Sequence, residues 1–212
     1  PIKKITGRIC HRAYMLWAAC GDKERLMKVI DMHCDTLSAL MYDRKNNMES
    51  ELRQNSHHLD LMKMKKGDYM LHCFAVYINK EYSENVLLDG MKLVDIFYCE
   101  MEKNKDIISQ VKSYEDIEAN MKAGKMSALL TGEEGDICAG SIQMLRNYHR
   151  LGLRMMTLTW NHENELAYPN YVVYNSDGSC TYNADASKGL KEKGFEFIEQ
   201  MEKLGIIIDV SH

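Results

Sequence analysis

The chain has 212 residues, 45% of them hydrophobic and 27% charged, with a formal net charge of −4. Those values suit one globular domain, near the short end for a closed α/β barrel of ~250 residues. The mild negative charge gives no electrostatic case for nucleic acid or an anionic membrane as partner, and no apolar run approaches the ~18 residues of a membrane span.

Residues 1–26 show neither clean periodicity nor a strand. The stretch 13–20 imitates a signal peptide only faintly, because it is short, lacks an A-x-A site and runs into Asp22-Lys23-Glu24-Arg25. Met27-Lys28 makes a natural beginning, and Lys23-Glu24-Arg25 can be encoded by a bacterial ribosome-binding sequence. Residues 1–26 are therefore expected to be an N-terminal extension made of translated upstream sequence. The alternative is a native extension packed under the rest. Residues 27–212 are expected to form the N-terminal part of a metal-dependent (β/α) barrel.

From residue 29 onward strands alternate with helices. Residues 29–35 are an apolar strand ending in His33-Cys34-Asp35. Thr36 can cap a helix to about residue 43, a polar loop follows, and residues 58–66 form a short helix stopped by Gly67. Residues 69–78 are a second strand, and 84–103 carry apolar residues at helical spacing. Ser113-Tyr114-Glu115-Asp116 caps a helix that ends at Gly124. A third strand over 126–132 runs into Glu133-Glu134-Gly135. A helix over 141–151, a fourth strand over 153–159, a long polar loop over 160–186 and a helix over 187–204 follow. The fifth strand, 205–212, ends on His212. Strands that alternate with helices imply a parallel sheet.

The chemistry gathers at strand ends. Residues two apart on a strand share a face, so His33 and Asp35 point the same way and can clasp one divalent ion. Cys34 faces the other side. Glu133 leaves its strand directly and can bridge two metals through its two oxygens, with Glu134 as its competitor. His212 ends the last strand. Taken singly, each has a plain structural explanation; together, at the C-terminal ends of three strands, they follow the way a (β/α) barrel builds an active site. Imidazoles with carboxylates suit Zn²⁺ or Mn²⁺, and two such ions make a hydrolytic site. His57, His72 and His149 are expected in loop or packed structural roles. Seven cysteines, an odd number without a C-x-x-C pair, read as reduced thiols and a cytoplasmic location.

From Met27 to His212 the chain resembles the renal (membrane) dipeptidase family of zinc peptidases. The resemblance rests on His33-Cys34-Asp35, on His58-Leu59-Asp60-Leu61 before the second strand, and on the aromatic Phe74-Ala75-Val76-Tyr77. It continues through Glu133-Glu134-Gly135 and through Leu151-Gly152-Leu153-Arg154-Met155-Met156-Thr157-Leu158-Thr159. It closes on Leu204-Gly205-Ile206-Ile207-Ile208-Asp209-Val210-Ser211-His212.

The resemblance implies an α/β fold, an amidohydrolase-like (β/α)8 barrel of which this chain supplies about the first five strands. It implies hydrolysis of dipeptides with two zinc ions as cofactor. His33 and Asp35 would bind the first ion, catalytic Glu133 would bridge both, and His212 would bind the second. A metal-bridging hydroxide would attack the peptide carbonyl. Many members carry a carbonyl-polarising histidine after T-L-T; here that position is Trp160, and His162, two residues on, is the substitute candidate for substrate binding. The family's other zinc histidine, substrate arginine and proton-transfer aspartate lie after the position matching His212. The chain as given is therefore expected to be an incomplete, inactive fragment. Expected partners are a dipeptide, no nucleic acid and no membrane, with a homodimer left open. The alternatives are another amidohydrolase-type metal hydrolase and a non-catalytic truncated product.

Overall fold

The computed structural model describes residues 28–183, 185 and 187–212. The expected extension over 1–26 lies outside the described residues. In chain order the elements are β1 (Val29–Asp31), α1 (Thr36–Lys45), α2 (Leu61–Lys66), β2 (Tyr69–Tyr77), α3 (Val86–Lys103), β3 (Ile108–Gln110) and α4 (Tyr114–Lys122). Then come β4 (Met126–Glu133), α5 (Ile142–Arg150), β5 (Leu153–Thr157), β6 (Tyr171–Tyr174), β7 (Cys180–Asn183), α6 (Glu192–Leu204) and β8 (Ile207–Asp209).

Five strands stand side by side in the order β1-β2-β4-β5-β8, all parallel, with β3 added beside the start of β4. Because every pair is parallel, all five strands end at one edge of a curled half-barrel. Period-two alternation sorts the side chains. Met126, Ala128 and Leu130 of β4 join the helix-side core with Phe74, Phe97 and Phe197. Leu129 packs with Leu71, Cys73, Val111 and Met155 on the inner face. Glu133, on the same parity as Leu129, is delivered to that inner face at the strand's end.

Local signals set the helix starts. Ser113 and Asp116 form a reciprocal capping box at α4. The buried Asp60 carboxylate caps α2 by accepting from the Lys63 amide at 2.7 Å, which gives the His-x-Asp-Leu segment a structural meaning. Asp35, not Thr36, holds the cap position of α1, and its side chain makes no capping bond. That carboxylate is left free for other use.

The loop expected over 160–186 holds a hairpin. Strands β6 and β7 pair antiparallel around Asn175-Ser176-Asp177-Gly178, with Gly178 at φ 81°. Tyr-Val-Val-Tyr and Cys-Thr-Tyr-Asn are β-prone, and the Asp-Gly turn joins them. The short strand β3 is likewise an addition to the expected set. Strand β1 ends earlier than expected, though the Ala75 amide still donates to the Cys34 carbonyl at 3.1 Å. No helix among the described residues is long and apolar enough to cross a membrane.

Candidate metal centre

The common strand edge brings four candidate residues together. His33 and Asp35 follow β1, Glu133 is the last residue of β4, and His212 lies beyond β8. His33 Nε2 stands 3.2 Å from Glu133 Oε2 and 3.5 Å from Asp35 Oδ1. His212 Nε2 stands 3.5 Å from the other Glu133 oxygen, Oε1. One ligand atom from each of His33, Asp35 and Glu133 lies within 4.8 Å of the other two. Glu133 forms the buried floor, its side chain 10% exposed, while His33 and Asp35 form an open rim at 44% and 54%.

The electrostatics ask for a cation. Hydrogen bonding to Asp35 and then to Glu133 pushes the His33 imidazole up to about 10. Two carboxylates around one imidazole thus stabilise positive charge at this spot, and imidazole with carboxylate oxygens is a donor set that suits zinc. The residues present fit a divalent metal.

A second ring of groups holds the donors in place. His212 Nδ1 lies 3.1 Å from Asn161 Oδ1, which leaves Nε2 turned toward Glu133. The His212 carbonyl accepts from the Asn170 amide at 2.7 Å. Three residues earlier, Asp209 Oδ2 accepts from the Thr157 hydroxyl at 2.8 Å and Oδ1 from the Ser211 amide at 2.9 Å. Burial pushes the Asp209 carboxyl up, but the bonds from Ser211 and Thr157 prevail and hold it below its ordinary value. Asp209 and Asn161 are contributions that the residue-by-residue reading passed over. The Asp-x-Ser spacing before His212 was the available signal for Asp209.

His162 stands one ring further out. It packs on Trp160 at 5.4 Å between ring centroids, and its Nε2 lies 3.8 Å from Glu81 Oε1. Trp160 itself packs on Tyr77 at 5.2 Å and on His212 at 6.2 Å. Cys34 packs against the helix-side core, away from the cluster, and burial pushes its thiol up to about 11. His57 pairs with Asp43 at 2.6 Å, and His72 is buried against Tyr69 and Phe74.

Glu134 goes the other way from Glu133. It is fully buried, with backbone φ 74° and ψ 125°, and neither carboxyl oxygen meets a protein donor. Burial, and next the adjoining Asp136 carboxylate, push the Glu134 carboxyl up to about 8. Lys80 pairs with Asp136 at 3.0 Å and donates to the Glu163 carbonyl. The loops after β2, β4 and β5 are tied together by that one ammonium.

Comparison with known proteins follows the same lines. The model of the membrane dipeptidase family (peptidase family M19) matches residues 23–212. Dipeptidase tcpJ of Claviceps purpurea is 27% identical over 164 residues, 73% of this chain and 36% of its own. An uncharacterized dipeptidase of Schizosaccharomyces pombe is 26% identical over 200 residues, 87% of this chain and 46% of its own. This chain therefore spans less than half the length of either. Among solved structures, a metallopeptidase from Rhodobacter sphaeroides, liganded with a phosphinate mimic of the dipeptide L-Ala-D-Ala, superposes with a TM-score of 0.76. It is 19% identical, and the match covers 88% of this chain and 59% of that one. The probable dipeptidase PvdM from Pseudomonas aeruginosa gives 0.72 at 18% identity, over 95% of this chain and 49% of that one. The half-barrel is thus the strand arrangement of a larger (β/α)8 barrel.

Proposed function

Because this chain belongs to the membrane dipeptidase family of metallopeptidases, we propose that its protein is a zinc dipeptidase that binds two ions at the strand edge. One observation carries the reading: the two oxygens of Glu133 face two different imidazoles, at 3.2 Å and 3.5 Å. That is the arrangement of a carboxylate that bridges two cations. His33 and Asp35 would hold one ion and His212 the other, with Glu133 shared between them.

When bound, zinc supplies Lewis acidity toward a peptide carbonyl and a nucleophile generated from water at neutral pH. The chain's own part is to fix the donors. Asn161 holds the His212 ring so that Nε2 is presented, and Thr157 and Ser211 pin the strand end through Asp209. Glu133 supplies the negative charge that offsets two dications from a nearly dry floor. His162, paired toward Glu81, takes the outer wall of the substrate site. The described cysteines stand free of one another, which supports a reducing, cytoplasmic setting.

The test compares two neighbours in the full chain. Glu133→Gln keeps size and removes charge, so zinc content falls and kcat on a simple dipeptide drops by ~10³-fold, equivalent to about 4 kcal/mol. Glu134→Gln retains both metals and most of the rate. The reverse ranking in metal analysis would place the bridge on the wrong residue. Equal and mild effects would remove the bridged-metal reading.

A further inference from the structure

The dipeptidase reading leaves open which dipeptides are accepted. Its metal donors are charged or strongly polar, and they cannot discriminate among apolar side chains. One uncharged surface stands beside them. Trp160, three residues past the end of β5, is half-buried and so keeps part of its surface open. Its ring lies 5.2 Å from Tyr77 and 6.2 Å from His212, centroid to centroid. Tyr77 is the register partner of Glu133 across β2 and β4, and His212 is Glu133's neighbour at 3.5 Å. A ring that packs on both residues flanking Glu133 stands beside the carboxylate floor and can wall it.

Resting on that reading, we propose that Trp160, backed by Tyr77, is the specificity wall for the N-terminal residue of the dipeptide. It selects a large apolar side chain, aromatic above all. The chemistry of the substrate requires a wall of this kind to act on that residue. The scissile carbonyl must sit over the cluster, and its own α-carbon, one bond away, carries the N-terminal side chain. The C-terminal side chain starts beyond the peptide nitrogen. A side chain leaving the carbonyl toward that wall meets an indole face and a phenol ring, where area burial and ring stacking both favour apolar groups. A charged side chain there would give up hydration against an uncharged aromatic wall, which disfavours it. Position 160 therefore sets substrate choice, and the metal donors set the reaction.

The experiment uses the zinc-loaded full chain with Phe-Ala, Leu-Ala, Ala-Ala and Asp-Ala. Phe-Ala and Leu-Ala should exceed Asp-Ala in kcat/KM by about tenfold or more, the scale of one buried side chain. Trp160→Ala should collapse the Phe-Ala to Ala-Ala ratio by about tenfold, and Trp160→Phe should keep most of it. A binding readout needs no turnover. The difference in tryptophan emission between the parent and Trp160→Phe isolates the signal of Trp160. The phosphinate isostere of Phe-Ala should then shift its emission more than that of Ala-Ala. Hydrolysis with a flat preference, or a ratio unmoved by Trp160→Ala, overturns the specificity wall while the peptidase reading stands. Failure to hydrolyse any of the four dipeptides, with no fluorescence response, overturns the peptidase reading and this inference with it.

Discussion

Replacing Glu134 by glycine should stabilise the protein. Glu134 holds φ 74° and ψ 125°, a positive-φ conformation outside even the left-handed helical region that L residues tolerate. Such a backbone costs about 1–3 kcal/mol at a non-glycine residue. Its carboxyl is buried with no N–H donor and meets only the Asp136 carboxyl, a like-charged partner, which costs about another 1–3 kcal/mol. Against these gains stand the extra unfolded-chain entropy of glycine, ~1 kcal/mol, and the packing of the lost side chain. About 1–5 kcal/mol is left before the lost packing, so the net is about 1–3 kcal/mol in favour of the variant, a rise in Tm of ~2–12 °C for a chain of this size.

Two further variants separate the causes. Glu134→Ala removes the carboxyl and keeps the backbone problem. Glu134→Gln replaces the titratable carboxyl and keeps both the backbone and the bulk. Thermal unfolding followed by circular dichroism should rank Gly above Ala by about 1–2 kcal/mol, the backbone penalty less the entropy of glycine. A glycine variant at or below the parent Tm, or an alanine variant equal to it, would refute the strain argument.

Two other substitutions test the frame. Asp60→Ala removes the α2 cap, a buried carboxylate that accepts from the Lys63 and Asn55 amides and pairs with Lys63 at 2.9 Å. It should cost about 2 kcal/mol in urea unfolding, and Asp60→Asn should recover most of that; an Ala variant within the error of the parent contradicts the cap. Gly194→Ala lies in the first turn of α6, where the change normally gains up to ~1 kcal/mol of helix propensity. Here the new Cβ would stand 2.1 Å from the Leu166 carbonyl oxygen, so a loss of about 1–3 kcal/mol is expected. A gain in Tm would show that the loop over α6 yields freely.

Much of the frame was legible because apolar runs and period-two parity act locally. The run before Glu133 is long enough to fix a buried strand, and parity alone sends Glu133 and Glu134 to opposite faces. The helix stops at Gly124 and Gly205 were legible because both sit at positive φ, where glycine is favoured. Other features depend on tertiary context. Nothing local reveals that Glu134 is buried, since a carboxylate after a strand ordinarily reads as solvated. The β6–β7 hairpin hid in a polar loop because each strand is four residues long, too short for alternation to show. His162 is two residues from Trp160, yet the loop carries it toward Glu81, a contact between segments about eighty positions apart, and sequence spacing has no access to such contacts.

The turn that strains Glu134 also explains why a stabilising glycine there need not leave the site untouched. Positive φ at residue 134 swings the chain so that the Gly135 amide donates to the Leu158 carbonyl at 3.2 Å. Gly135 has no room for a side chain, because a Cβ would come within 2.2 Å of Leu166 Cδ1. This stitch joins the end of β4, which aims Glu133, to the end of β5, which aims Trp160. Asp136, two residues past Glu134, adds a second tie through Lys80 to the Glu163 carbonyl. One short segment therefore ties together the strand end that carries Glu133 and the loop that carries Trp160. Relaxing it gains stability and loosens the distance between the two, and sites that hold strained residues commonly trade in that direction.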